Sequence, residues 1–418
     1  MMETRALRMY GAKDLRVEEF ELPEITDDEI LVKVISDSVC MSTYKCAILG
    51  SRHKRVPENV ATHPVIMGHE FAGEIVQVGK NHRIKFAPGM KFALQPALNY
   101  KGTMWSPGYS YEYFGGNATY TIIPPEVMEL GCLLEYNGDS FFEASLAEPI
   151  SCSIGAFHSC YHTIANTYDH VMGTKQGGKL ALLAGGGPMG LGAVDYALNC
   201  DNPPSLLVVT DLDASRIERL GKLFPKEKYA ARGIQVVFLQ TGKDGDAVKQ
   251  LMELSPEGYD DVFVYAPVQG LVRVASDILG RDGCMNFFAG PTDPGFSGQV
   301  NLYDVHYNRT HVLGSTGGNL EDMKEALRLT QEKRIHPAIM ITHVGGLNSA
   351  AETVLHLPEM SGGKKLIYNQ IDMELTALED LREKGKTDKR FADLADIVDH
   401  HDGLWNKEAE DYLLNHWK

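Results

Sequence analysis

The sequence predicts an α/β protein: a β-rich first domain, then a doubly wound parallel sheet, then a helical extension at the C-terminal end. Three observations predict it. Residues 28–40 (DEILVKVISDSVC), 67–79 and 115–126 are short β-branched or alternating runs closed by turn signals such as Pro88-Gly89, the pattern of a barrel-like β domain. From about residue 179, apolar strands alternate with helical patterns, which implies a parallel sheet with helices on both faces. From about residue 371 the chain combines dense charge with apolar residues at helical spacing.

Taken in order, KLALLAG reads as a strand and PMGLGAVDYALNC as a helix; SLLVVTD, IQVVFLQTG, DDVFVYA and CMNFFAG continue the strands, with helices between them. HVLGST and a helix near 319–332 follow, and then IMITHVGG and KKLIYNQ, which rejoin the first domain. The expected boundaries are 1–165, 166–315, 316–370 for the return, and 371–418 for the extension. The extension reads as two or three amphipathic helices. Its Leu404, Trp405, Tyr412, Leu413, Leu414 and Trp417 are too apolar for a solvated tail and should dock on the body or on a neighbouring subunit.

The 418 residues hold 40 basic and 56 acidic side chains, a net charge of −16. That balance disfavours nucleic acid, which needs basic surface to replace counterions, and anionic lipid equally. The run 180–198 contains five glycines, Pro188 and Asp195, so it is a poor membrane span. The opening MMETRALRMYG carries charge and no apolar signal core, and the seven cysteines include no CxxC pair. A reducing, cytoplasmic setting is expected.

Gly185-Gly186-Gly187-Pro188-Met189-Gly190 satisfies GxGxxG between an apolar strand and a helix, the context in which that pattern binds a dinucleotide. The first glycine allows the tight turn, the second lets backbone approach a pyrophosphate, and the third lets helix and strand pack closely. Asp211 ends the next strand, 21 residues beyond Gly190 (211 − 190). A carboxylate there hydrogen-bonds a ribose 2′-hydroxyl and repels a 2′-phosphate, which favours NAD over NADP; a helix N-cap is the other use of an acid at that point. Arg216 on the following helix either stacks on adenine or stays at the surface.

Three separated segments carry metal-ligand chemistry: Cys40 with Ser42 two residues on, Gly68-His69-Glu70, and Ala147-Glu148-Pro149. One thiolate, one imidazole and one carboxylate with an open fourth position compose a catalytic zinc site. Singly, Cys40 also reads as a core thiol, His69 as a turn residue and Glu148 as a helix-start charge.

With GHEFAGEIVQVG (68–79), GGNATY (115–120), AEP (147–149), GGGPMG (185–190) and TDLDASR (210–216), the chain resembles the zinc-dependent medium-chain dehydrogenase/reductase family over roughly residues 5–370. AEP and TDLDASR are most similar to the sorbitol dehydrogenase branch. RALRMYGAKDLRVEEFELPEI and SVCMSTYKCAILGSRHKRVP resemble the L-sorbose-1-phosphate reductases, which reduce a ketose 1-phosphate to a hexitol phosphate. The resemblance implies a GroES-like catalytic domain, a Rossmann cofactor domain, and a homodimer or homotetramer acting on a small-molecule sugar phosphate or polyol. It implies zinc on Cys40, His69 and Glu148, with Glu70 close enough to exchange, and Ser42 as the proton-relay hydroxyl. It also implies NAD(H) on Gly185, Gly187, Pro188, Met189, Gly190, Asp211 and Arg216, with Ser315 in a loop beside the nicotinamide.

There are departures. The family's structural zinc needs four cysteines near 95–115, where this chain has none, so one zinc per chain is expected. The aromatics there (Tyr100, Trp105, Tyr109, Tyr111, Tyr113 and Phe114) would pack the lobe or form an interface. Thr43 stands where family members often have Asp, and Lys45 where alcohol dehydrogenases place the outer relay histidine. A phosphate end would need cations, and Lys45, Arg52, Lys54 and Arg55 are the candidates, in or near the densest basic run of an acidic chain. A solvated loop is the plainer reading of that run.

Overall fold

A computed structural model describes residues 2–242 and 246–417. By internal contacts the chain forms two units. One holds Met1–Glu148, Ala326–Gln331 and Pro337–Lys418; the other holds Pro149–Glu325 and Glu332–His336. The division falls at the Glu148–Pro149 peptide, earlier than the expected 165, because the single helix Phe141–Ser159 runs from one unit into the other.

The first unit is built on the strand Ile30–Ser38, whose β-branched residues are buried on both faces. It pairs antiparallel with Phe71–Val78, Tyr120–Ile123 and Lys364–Tyr368, at the centre of an eight-stranded sheet. A three-stranded sheet of Asp14–Leu22, Met2–Gly11 and Val65–Ile66 completes the β-rich body. Two of these central strands deliver the site. After Ser38 the chain turns into the helix Met41–Leu49 with Cys40 as its N-cap. Before Phe71 it turns at Gly68, where φ is +88° and an added Cβ would lie 2.7 Å from the Asn117 backbone nitrogen. Glycine is required there on both counts.

Residues 381–416 form three helices, Leu381–Lys384, Lys389–His400 and Lys407–His416, two of them N-capped by Asp388 and Asn406. Leu394, Val398, Trp405, Leu413 and Trp417 join Ile35, Phe142, Leu146, Ile341 and Tyr368 in one buried cluster. The extension therefore docks on its own unit, the first of the two placements expected for it.

The second unit is a six-stranded, all-parallel sheet in the order Gln235–Gln240, Leu206–Asp211, Lys179–Leu183, Tyr259–Val264, Leu279–Phe287, His311–Leu313. This is the 3-2-1-4-5-6 order of the doubly wound dinucleotide fold. The three central strands, Leu206–Asp211, Lys179–Leu183 and Tyr259–Val264, are short and largely buried because both their faces are covered. The helix Pro188–Asn199 begins directly after the glycine turn, with Gly187 as N-cap and Pro188 in its first turn. Among the described residues, no helix is long and apolar enough to cross a membrane.

Candidate metal centre and nucleotide turn

Cys40, His69 and Glu70 are brought together, with one ligand atom of each lying within 4.8 Å of the other two. His69 and Glu70 are buried, while Cys40 is partly exposed. Cys40 sits at the N-terminus of a nine-residue helix, whose free N–H groups favour a thiolate. Burial and the nearby Glu70 act the other way and raise its pKa. Burial pulls His69 below its ordinary pKa, which keeps the imidazole in its neutral, ligating form. Thr43 Oγ1 lies 3.3 Å from His69 Nδ1 and Ser42 Oγ 3.3 Å from Nε2. With Nδ1–H donated to Thr43, the Nε2 lone pair faces the site. Ser42 also donates to Cys40 Sγ at 3.0 Å.

The two carboxylates differ. Glu70 receives the Lys364 ammonium on both oxygens at 2.6 Å and the Ser38 hydroxyl as well. Against the cost of burial, Glu70 holds Lys364 above the usual lysine range. Glu148 lies outside the 4.8 Å set, so Glu70 rather than the expected Glu148 completes it. The physical reason is that Glu70 adjoins His69 on the same turn, whereas Glu148 arrives on the separate helix Phe141–Ser159. Glu148 is half-buried and still faces the centre: burial first, then Glu70 and Cys40, push its carboxyl up to about 7, while His69 and Lys364 pull it down. Asp37, fully buried, accepts from the Glu70 backbone N–H at 3.1 Å and from Asn117 Nδ2 at 2.8 Å; burial and Glu70 raise its pKa.

Three carboxyl groups and a thiol thus crowd the Lys364 ammonium. A divalent cation would relieve that excess of negative charge, and the sulfur, nitrogen and oxygen donor set suits zinc. The partial exposure of Cys40 and Glu148 leaves a side open, as a catalytic site needs.

Tyr109, expected to pack the lobe or form an interface, lies beside the centre. It is buried beside Ser42, stacked on His53 with ring centroids 5.4 Å apart, and 5.1 Å from the His69 ring. Arg55 lies over the other side of this arrangement, its Cζ 5.5 Å from the Tyr109 ring, and donates to the Met104 carbonyl at 3.4 Å. The basic run therefore divides: Arg55 reaches the centre, whereas Arg52 and Lys54 are exposed. Lys45 is half-buried on the helix that carries Ser42.

In the second unit, the glycine turn has the geometry its pattern implies. A Cβ at Gly190 would lie 2.1 Å from the Gly185 carbonyl oxygen, so helix and strand meet with no room for a side chain. At Gly187 an added Cβ would meet no protein atom, leaving space at the helix N-terminus beside Pro188 and Met189 for a pyrophosphate. Asp211 accepts from the Gly186 N–H and the Asp213 N–H, both at 3.0 Å, with Arg216 Nη1 at 3.5 Å. It is held at the strand end facing the turn, and Arg216 stands beside it rather than apart. Ser315 Oγ and Tyr265 Oη are buried, with no hydrogen-bond partner among the described residues, just past the carboxyl ends of their strands, where this fold receives its ligand. These donors fit a dinucleotide.

The sequence pointed to no part for Tyr265, Asp37 or Lys364, and marked Thr43 only as a departure and Tyr109 only as a lobe or interface aromatic. Lys364 left a signal, since two consecutive lysines opening a wholly buried strand demand a partner. Tyr109 left none beyond its neighbours' aromaticity.

The pattern of the alcohol dehydrogenase GroES-like domain matches residues 26–130, and that of the zinc-binding dehydrogenases matches residues 188–332. An uncharacterized protein of Escherichia coli K12, YggP, is 54% identical over 99% of this chain and 97% of its own. The mannitol-1-phosphate 5-dehydrogenase of Aliivibrio fischeri is 50% identical over 99% of this chain and 98% of its own, and the L-sorbose 1-phosphate reductase of Klebsiella pneumoniae 45% over 100% and 98%. A Sinorhizobium meliloti structure, described as a zinc-binding dehydrogenase bound to NADP, superposes with a TM-score of 0.71 at 21% identity, covering 88% of this chain and 100% of that one. Full-length relatives and both family patterns agree with this site: the chain belongs to the zinc-binding medium-chain dehydrogenase/reductase family and is an oxidoreductase of its polyol and sugar-phosphate dehydrogenase group.

Proposed function

We propose that the enzyme transfers hydride between NAD(P)H and a ketose phosphate, reducing L-sorbose 1-phosphate to D-glucitol 6-phosphate with NADH preferred. One observation carries the phosphate: a guanidinium, Arg55, lies beside the metal centre through Tyr109 in a chain of net charge −16. The names of the two sugar-phosphate relatives support the same substrate class. The reading includes a cytoplasmic homodimer or homotetramer, with no nucleic-acid or membrane partner.

Cys40, His69 and one of Glu70 and Glu148 would hold zinc, which when bound supplies Lewis acidity toward a carbonyl oxygen. The overall change is ketose phosphate plus NAD(P)H plus a proton to hexitol phosphate plus NAD(P)⁺. Ser42 gives the reduced oxygen its proton beside Tyr109; Thr43 holds the His69 ring; Lys364 pairs with both oxygens of Glu70. Arg55 binds phosphate oxygens, with Lys45, Arg52 and Lys54 adding charge. Asp211 accepts from the adenosine ribose, which sets the preference against a 2′-phosphate. Gly185, Gly187 and Gly190 admit the pyrophosphate, and Ser315 hydrogen-bonds the nicotinamide end.

The relative that acts on mannitol 1-phosphate at carbon 5 favours a second reading, in which phosphate and reacting carbon stand at opposite ends of the sugar. Oxidation of an unphosphorylated polyol is the third. A steady-state screen of ketose 1-phosphates, ketose 6-phosphates and free ketoses with both cofactors separates all three. Charge reversal at Arg55 should raise KM for the phosphorylated substrate by about ten- to a hundredfold, the worth of a charged hydrogen bond, and leave the free sugar nearly unchanged. Equal effects on both would reject the phosphate role.

A further inference from the structure

The C-terminal extension reaches back to one end of a single helix. Glu410 is fully buried, and its carboxylate accepts the Phe141 N–H at 2.8 Å and the Phe142 N–H at 2.9 Å, the first free donors of the helix Phe141–Ser159. Tyr368 donates to the same carboxylate at 2.9 Å and receives the Trp405 indole N–H at 2.7 Å. A carboxylate at that end also complements the positive pole of the helix. Around this cap, Phe142 and Leu146 of the same helix pack with Leu394, Trp405 and Leu413 of the extension.

Glu148 lies seven residues beyond Phe141, two turns and about 10 Å along the axis on the same face. Immediately after it, Pro149 has no N–H to bond the Ser145 carbonyl, so the turn carrying Glu148 is tied less firmly on its far side. On the near side of Glu148, Ser36 and Ser145 meet at 3.1 Å and Glu410 holds the terminus. A tilt of about 10° at the capped end moves Glu148 by roughly 2 Å, against a tolerance near 0.2 Å for a metal–ligand bond.

We infer that Glu410 is a positioning residue for the metal centre: through the helix it caps, the C-terminal extension sets where Glu148 stands. The inference rests on the reading of Glu148 as a group that contacts the metal.

The test uses the full chain loaded with cobalt(II) for the ligand-field spectrum, and with zinc against a chelator for affinity. Wild type is compared with Glu148→Gln, Glu410→Gln, Tyr368→Phe and Leu414→Ala, the last loosening the extension without touching the cap. Glu410→Gln is expected to move the cobalt bands and weaken zinc by about ten- to a hundredfold, the range for an outer-shell partner. Leu414→Ala at a similar loss of melting temperature should do neither. If Glu148→Gln leaves spectrum and affinity unchanged, the ligand reading fails. If Glu148→Gln changes them and Glu410→Gln does no more than Leu414→Ala, positioning is overturned and the ligand reading stands. Should Glu410→Gln not fold, Tyr368→Phe decides: a smaller shift in the same direction supports positioning, and no shift overturns it.

Discussion

The metal centre and the nucleotide turn solve the same problem, holding a charged group at a fixed place, with opposite materials. The nucleotide turn is backbone. Six consecutive residues, four of them glycines, leave room for phosphate at a helix N-terminus, and the side chains of Asp211 and Arg216 face the turn. The metal centre is side chains. Cys40, His69, Glu70 and Glu148 come from three separated segments, and a surrounding layer of Thr43, Tyr109, Ser38, Asp37 and Lys364 holds them. The backbone site depends on its close contacts and on the open space at Gly187, whereas the side-chain site is coupled, so a loss at one member is felt by the rest.

The largest expected effect breaks the side-chain site outright. Cys40→Ser or His69→Ala should lose bound zinc and lower kcat/KM by about a thousandfold or more, since the Lewis acid is worth several kcal/mol. Elemental analysis with steady-state kinetics checks it, and a variant retaining both zinc and activity removes that residue from the centre. Next comes Ser42→Ala, expected to lower kcat by about a hundredfold or more with zinc content unchanged; an unchanged kcat takes Ser42 out of proton transfer. Against these, Gly190→Ala tests the backbone site. The new Cβ would meet the Gly185 carbonyl, and NADH affinity should fall by about ten- to a hundredfold, matching an overpacking cost of roughly 1–3 kcal/mol. Fluorescence titration reads it, and wild-type affinity would refute the close-packing account.

The last effect is on stability, not on catalysis or binding, and it depends on pH. Burial pushes the Glu410 carboxyl up to about 7, against the hydrogen bonds from Phe141, Tyr368 and Phe142 and the charge of Lys407. A pKa above the unfolded value means its contribution to stability is complete below about pH 4.5 and is lost as pH rises through about 7. Wild type should therefore lose about 1.4 kcal/mol per pH unit across that window relative to Glu410→Gln. Denaturant melts of both at pH 5, 6, 7 and 8 test this, and parallel curves would show that Glu410 does not titrate there.

Legibility followed the same division. The glycine turn, its strand and helix, and Asp211 could be read from spacing because each duty lies within one contiguous stretch. The metal segments were visible as residue types. Which carboxylate stands nearest was not, because Glu148 travels on a helix whose direction is decided by distant contacts. Arg55 and Arg52 are three residues apart in one basic run, yet only the fold separates them, since Tyr109 comes from another loop to lie beside Arg55. The apolar residues of the extension announced burial; their partner, the unit's own core, required the structure.

By itself, the sequence determined the alternating strands and helices of the parallel sheet, the nucleotide turn, the residue types suited to a metal and the need for the extension to be covered. These depend on local periodicity, backbone freedom and the chemistry of single residues. Only the tertiary structure decided that Lys364 neutralises Glu70, that Tyr109 joins Ser42 to the neighbourhood of Arg55, and that Glu410 caps the helix of Glu148. Each of these is a contact across tens to hundreds of residues, made by burying a charge or a ring where one partner's position has meaning only once the other is in place.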